Sequence, residues 1–370
     1  MNKNLKVAIV HDYIKEQGGA ELVLEELIKL FPQADVFTSL YVPEFLGPHK
    51  ERFEDVKITT SFLDKVPFRH KLLSPMRLLS PLAFKSFDFS GYNTIIVSQT
   101  GAYFPNFIRK KKGQKLICYT HTPPRYLYGY KTARELPTNL LVKTGTGIAF
   151  NFLRIIDFEA SKNVDQFIAN SEEVKKRIEK FYRRDATVIY PPVRVPSVVK
   201  GKKEDFYLFG GRLARSKGID IIVDAFLKNK KPLKIFGRGF AGYEEKLKLK
   251  IGNGKSNIEL LGEVSDEQKF ELMAQAKAFI FSSFDEDFGI TPVESMGVGT
   301  PVIAFRSGGV KETVIEDKTG VFYEENTPES LNSAINRFEK SKLNPDDCVQ
   351  RAEKFSEKVF DRKIKEVVSA

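Results

Sequence analysis

The most constraining stretch of this chain runs from Phe284 to Thr313. It follows a short apolar run, Ala278-Phe279-Ile280-Phe281, that reads as a buried strand, and it leads into a helix start at Thr291-Pro292-Val293-Glu294. Two carboxylates, Glu286 and Glu294, therefore flank a turn at Gly289 that opens a helix. Amide N–H groups at such a start, such as those of Gly289, Ile290 and Thr291, point outward and, with the helix dipole, suit a phosphate. The carboxylates beside it would accept hydrogen bonds from sugar hydroxyls. Two plainer roles remain open for the same residues. Thr291 and Glu294 have the spacing of a capping box with proline at the start of the helix. Asp285-Glu286-Asp287 has the composition of a metal-binding triplet, although hard cations usually draw ligands from several places and acidic loops are commonly just solvated.

The second half alternates strand and helix. Phe206-Tyr207-Leu208-Phe209 reads as a strand feeding Gly210-Gly211-Arg212-Leu213-Ala214-Arg215-Ser216-Lys217-Gly218, so Arg212 and Lys217 place two cations at one strand end, as a diphosphate needs. Strands follow at Leu233 to Gly239 and Ile258 to Gly262, then a helix from Asp266 to Ala276. Pro301 to Ala304 is a further strand, with Gly308-Gly309 after it.

The first half alternates in the same way. Leu5 to Val10 is a strand, and Gly18-Gly19 opens an amphipathic helix through Leu30. Paired glycines permit close approach to a phosphate, but the Gly-x-Gly-x-x-Gly spacing of a dinucleotide site is missing, and loop geometry explains the pair equally well. Further strands lie at Val36 to Leu40, Thr94 to Ser98, Leu116 to Tyr119, Phe167 to Ser171 and Ala186 to Tyr190. The fourth of these six strands delivers His121 at its carboxyl end, where doubly wound sheets bind ligands. Pro191 to Pro196 and the polar run Lys200 to Asp205 form a stiff linker. The expected fold is α/β: two doubly wound parallel-sheet domains, 1–195 and 196–348, facing a cleft.

Charge divides the halves. Residues 1–200 sum to +11 and 201–370 to zero, and between Lys65 and Arg134 there are thirteen Lys or Arg against one acid, Asp88. From Phe62 to Phe89 the bases interleave with Phe, Leu and Pro, and Arg109-Lys110-Lys111-Lys112 adds to the excess, so residues 65–112 suit an anionic membrane surface. Packed helices with solvated bases are the plainer explanation. No nucleic-acid-binding motif appears, and nucleic acid is not an expected partner. Two distant cysteines without metal-ligand spacing, and no apolar run of spanning length, fit a cytoplasmic protein that is peripheral on the inner face of the membrane.

Glu286-Asp287-Phe288-Gly289, then Glu294, Gly308-Gly309 and Glu312, resembles the Glu-x7-Glu segment of the family 4 retaining glycosyltransferases, which have the two-domain GT-B fold. The Gly-Arg-Leu-x-x-x-Lys-Gly spacing at 211–218 resembles that family's diphosphate-binding motif. His121-Thr122-Pro123-Pro124-Arg125-Tyr126 resembles a sequence of its bacterial mannosyltransferase-like branch, although Leu127-Tyr128-Gly129-Tyr130 departs from it. The resemblance implies that Gly18 and Gly19 line the diphosphate site, that Gly262-Glu263-Val264 seats the nucleotide base against backbone, and that His121 lies near the donor sugar. It implies a last helix, 349–370, that crosses back to the first domain.

The resulting expectation is a retaining, metal-independent transferase that needs no cofactor beyond its nucleotide-sugar donor. GDP-mannose is favoured over a UDP-sugar, with a glycan or lipid-linked acceptor in cell-surface polysaccharide synthesis. Arg212, Lys217 and the amides near Gly289–Thr291 would hold the diphosphate, Glu294 the ribose hydroxyls and Glu286 the sugar hydroxyls. A nucleotide-sugar epimerase or dehydrogenase and a non-catalytic sugar-binding protein are the other classes, since a fold alone does not give a function.

Overall fold

The computed structural model describes residues 5–130, 140–196, 202–239, 242–252 and 256–369. They form two compact units, one built from 5–130, 140–192 and 357–369, the other from 193–356.

The first unit is a seven-stranded sheet of β1 (Val7–His11), β2 (Asp35–Thr38), β3 (Ile58–Thr60), β4 (Thr94–Gln99), β5 (Lys115–Thr120), β6 (Gln166–Ala169) and β7 (Ala186–Val188). All neighbours are parallel, in the order β3-β2-β1-β4-β5-β6-β7. Parallel strands need crossovers, and crossovers bury both faces, which is why β1 and β4 are buried along their whole length. On one face Ile9, Ile96 and Ile117 pack against Val23, Leu24 and Leu27 of the helix Gly19–Leu30 and against Phe360, Ile364 and Val368 of the terminal helix Glu357–Ser369. On the other, Ala8, Val10, Ile95 and Val97 meet Phe84, Phe87 and Phe89.

The second unit is a six-stranded parallel sheet of β8 (Tyr207–Gly210), β9 (Leu233–Phe236), β10 (Ile258–Gly262), β11 (Phe279–Phe281), β12 (Val302–Phe305) and β13 (Gly320–Tyr323), in the order β10-β9-β8-β11-β12-β13. Its core joins Ile222, Val223 and Phe226 of the helix Ile219–Asn229 to Phe209, Ile235, Ile280 and Ile303.

Several details depart from the sequence expectation. β3, a half-buried edge strand, had no apolar run to announce it. The 62–89 segment forms short pieces, including Leu73–Met76 and Ser80–Lys85, where prolines interrupt any longer helix. The single last helix expected at 349–370 is two, Pro345–Glu353 and Glu357–Ser369. The break is built in: Phe355 is buried and its carbonyl accepts from Val193 N at 2.9 Å.

The helix Leu140–Ser161 carries a buried carboxyl, Asp157. Tyr128 Oη donates to it at 2.8 Å and Tyr182 Oη at 3.1 Å, while Gln99 Nε2 donates to Tyr182 Oη at 3.2 Å, bracing the carboxyl end of β4. Burial pushes the Asp157 carboxyl up to about 7, against the two phenol hydrogen bonds, which lower it. The unfolded chain releases this proton near the ordinary 3.8, so the folded state keeps a proton that the unfolded state loses between about pH 4 and 7. Stability falls as pH rises through that window and levels off above it, by on the order of 4 kcal/mol for this group. Asp157→Asn, which cannot ionise, is expected to remove that component from denaturant unfolding measured from pH 4 to 7. A pH dependence identical to the parent's would refute the assignment.

Candidate functional site

In the second unit the strand order reverses between β8 and β11, and ligands of doubly wound sheets bind outside the carboxyl ends at such a point. The chain leaves β8 through Arg212, which is exposed, and a tight turn at Arg215–Lys217. Gly218 ends that turn with φ +68°, and a Cβ there would lie 2.4 Å from the Ser282 carbonyl oxygen beyond β11. Only glycine permits both the backbone conformation and that approach. Phe284 N donates to Ser216 O at 3.1 Å, tying the two strand ends together. Lys217 Nζ thereby reaches 2.6 Å from Glu286 Oε2, with the two side chains 33% and 19% exposed. The sequence-predicted cation and carboxylate are thus one contact, open enough to exchange partners with a ligand.

The loop carrying Glu286 is fixed from behind. Gly309 N donates to Glu286 O at 2.7 Å and Asp285 N to Ser307 Oγ at 3.1 Å. At Gly308, φ +69°, a Cβ would sit 2.2 Å from Glu286 O. After this loop comes the helix Ile290–Gly297, whose N-cap Gly289 offers no side chain to the first amides. The capping box at Thr291 and Glu294 does not form, because the helix already begins at Ile290 and Thr291 is its second residue. Glu294 is instead buried and paired with Lys269 Nζ at 2.8 Å. Burial works to lower the Lys269 ammonium, yet Glu294 and then Asp266 hold it above its ordinary value. Lys269 comes from the helix Asp266–Gln275 and had no motif to mark it.

Phe288 is buried with its ring 5.5 Å from that of Phe355, so anything it offers a ligand comes from its backbone. Gly262 ends β10, where its carbonyl accepts from Gly237 N at 2.7 Å, and Val264 lies in the turn before Ser265, which caps the next helix. Among the described residues no three or more His, Cys, Asp or Glu side chains gather as a metal site, the Asp285-Glu286-Asp287 triplet included.

In the first unit His121 follows β5 directly and is nearly buried. Burial and, secondarily, the neighbouring His11 push its imidazole down to about 3, so it is neutral in ordinary conditions. Its Nε2 is 2.9 Å from Ser98 Oγ, which is 3.0 Å from His11 Nδ1. Gly18 is the N-cap and Gly19 the first residue of the helix Gly19–Leu30. His11 and Ser98 went unread in the sequence; the signal available was a polar side chain ending each of two apolar strands.

Gly308→Ala is expected to displace the Glu286 backbone and destabilise the second unit by about 1–3 kcal/mol, the range for strained backbone and overpacking. Urea unfolding of variant and parent checks this; equal midpoints would contradict the fixed-loop account.

A family model described as Glycosyltransferase Family 4 matches residues 17–195, and one described as Glycosyl transferases group 1 matches 195–355. The chain is 32% identical to an uncharacterized glycosyltransferase of Methanocaldococcus jannaschii over 48% of this chain and 50% of that one. It is 25% identical to the alpha-1,3/1,6-mannosyltransferase ALG2 of Dictyostelium discoideum over 99% and 98%. With the O-antigen chain mannosyltransferase RfbU of Salmonella typhimurium it shares 30% over 51% and 56%. Among solved structures it resembles Anabaena HepE in complex with UDP and glucose, TM-score 0.71 at 18% identity over 98% and 99% of the chains, and sucrose-phosphate synthase from Thermosynechococcus elongatus, TM-score 0.75 at 17% over 98% of each. The two parallel α/β sheets are those of the GT-B fold, and with two family models spanning residues 17–355 the chain belongs to the family 4 glycosyltransferases.

Proposed function

We propose that this glycosyltransferase is retaining and metal-independent and moves mannose from GDP-mannose to a hydroxyl of a glycan or lipid-linked acceptor in cell-surface polysaccharide synthesis. The observation that carries the reading is the 2.6 Å contact of Lys217 with Glu286 at the carboxyl ends of β8 and β11, with the exposed Arg212 on the same segment after β8. Departure of a nucleoside diphosphate builds negative charge on phosphate and positive charge on the sugar ring. Arg212, Lys217 and the amides of Gly289, Ile290 and Thr291 stabilise the first; the carboxylate of Glu286 holds sugar hydroxyls and tempers the second. Glu294 takes ribose hydroxyls, and His121 contacts the donor sugar.

Transfer proceeds on one face of the sugar. The acceptor oxygen bonds to the anomeric carbon as the carbon–phosphate oxygen bond breaks, and the acceptor proton passes to the leaving phosphate. Two cations and a helix start supply the charge a metal would otherwise provide. Mannose is favoured because two relatives are mannosyltransferases by name, while HepE was solved with UDP and makes a UDP-sugar the runner-up. The test is nucleoside diphosphate release across a donor panel in the presence of EDTA. GDP-mannose should give the fastest release, and Arg212→Ala and Lys217→Ala should each lower it by roughly two to three orders of magnitude. Turnover that needs added magnesium or manganese, or unimpaired variants, would overturn the reading.

Docking on the inner face of the cytoplasmic membrane accompanies this proposal. Among the described residues no helix is long and apolar enough to cross a membrane. Phe62, Phe68, Leu72, Leu78, Leu79 and Leu82 are exposed, and so are Lys65, Lys71, Lys85, Arg109, Lys111 and Lys112. Lys110 is instead paired with Asp165, and Arg77 stacks on Tyr126 at 4.3 Å, so the basic face is smaller than its residue count. Neutralising Lys71, Lys85, Arg109, Lys111 and Lys112 together should abolish co-sedimentation with anionic vesicles, and salt should weaken the parent's binding because the attraction reaches only about 8 Å at physiological ionic strength. Equal binding of the parent to neutral vesicles would contradict this.

A further inference from the structure

A row of polar side chains crosses the carboxyl edge of the first sheet. His11 is in register with Ser98 across β1 and β4, Ser98 is in register with Tyr119 across β4 and β5, and His121 lies two residues beyond Tyr119. Side chains alternate with period two, so His11, Ser98 and His121 continue the face that carries Ile9, Ile96 and Ile117, under the helix Gly19–Leu30. The row is dry: His11 and Ser98 are 0% exposed and His121 8%. Glu21, in the first turn of the covering helix and itself buried, brings Oε1 to 3.7 Å from His11 Nε2, a buried nitrogen with no hydrogen-bond partner among the described residues.

A serine hydroxyl has one proton, so where each ring carries a single N–H and Ser98 spends its proton within the row, it donates to one imidazole and accepts from the other. The chain therefore has two polarities. If Ser98 donates to His11 Nδ1, it must accept from an Nε2–H of His121, and His121 Nδ1 is left with a lone pair. If His11 Nδ1 carries the proton, Ser98 donates to His121 Nε2 and the tautomer is reversed. A carboxylate beside His11 Nε2 favours a proton on that nitrogen and hence the first polarity. We propose that Glu21, acting through His11 and Ser98 as positioning residues, fixes His121 in the tautomer protonated at Nε2, leaving Nδ1 as a hydrogen-bond acceptor for an alcohol hydroxyl. Because burial keeps His121 neutral, its tautomer rather than its charge is what the protein can set. That the alcohol belongs to a sugar or acceptor rests on the glycosyl-transfer reading; the tautomer does not.

The experiment is nitrogen-15 NMR of the histidine-labelled protein, with no donor or acceptor present, at mildly alkaline pH. In the parent, His121 should show a protonated Nε2 and an unprotonated Nδ1. Glu21→Gln, whose amide can donate to His11 Nε2, should move the majority of His121 to the Nδ1-protonated form. Ser98→Ala should cut the chain, leaving a mixture of tautomers that adding Glu21→Gln does not change. A parent His121 protonated at Nδ1, a tautomer indifferent to Glu21→Gln, or a response that survives Ser98→Ala would each overturn the proposal. The parent spectrum alone decides the first point should a variant fail to fold. Since no substrate is present, a failure of the glycosyl-transfer reading would leave these results untouched.

Discussion

The close approach of Gly218 to the main chain of Ser282 is the constraint on which the second unit's chemistry depends. A parallel sheet covered on both faces satisfies its backbone internally and leaves reactive groups only at the strand ends. At the β8–β11 switch point those ends must meet without side chains between them. Glycine makes the meeting possible, and Lys217 and Glu286 come to 2.6 Å as its consequence. Gly308 does the same from the other side, admitting the Glu286 loop where any Cβ would collide.

The two carboxylates of the candidate site are held in different ways. Glu286 shares a partly open contact with Lys217, where solvent weakens the attraction and a phosphate can compete for the cation. Glu294 is buried and paired with Lys269, a pair that is costly to break because the carboxylate would be left without compensation in a dry place. The first arrangement suits a group that changes partners during a reaction, the second one that holds a fixed position. In the first unit His121 meets a serine hydroxyl instead of a charged partner, and its own burial keeps it uncharged.

Much of this was legible in the sequence because it lies in local patterns. Apolar runs located most strands within a residue or two, and the 211–218 and 286–294 spacings marked the groups that meet at β8 and β11. What escaped was set by tertiary partners. Thr291 and Glu294 have capping-box spacing, but the helix begins one residue earlier and Lys269, from another helix, takes the carboxylate. The helix Leu140–Ser161 went unread, since its glycines at 145 and 147 and its exposed Ile148, Phe152 and Ile155 blur the amphipathic period. His11 and Ser98 become recognisable only when the strand register sets them side by side.

The central claim of the proposed function is that the transferred sugar keeps its anomeric configuration, because it leaves the diphosphate and joins the acceptor on the same face. Proton NMR of the purified product reads the configuration of the transferred sugar's anomeric carbon directly. The account predicts the configuration the sugar had in the nucleotide donor. A product of inverted configuration would contradict it.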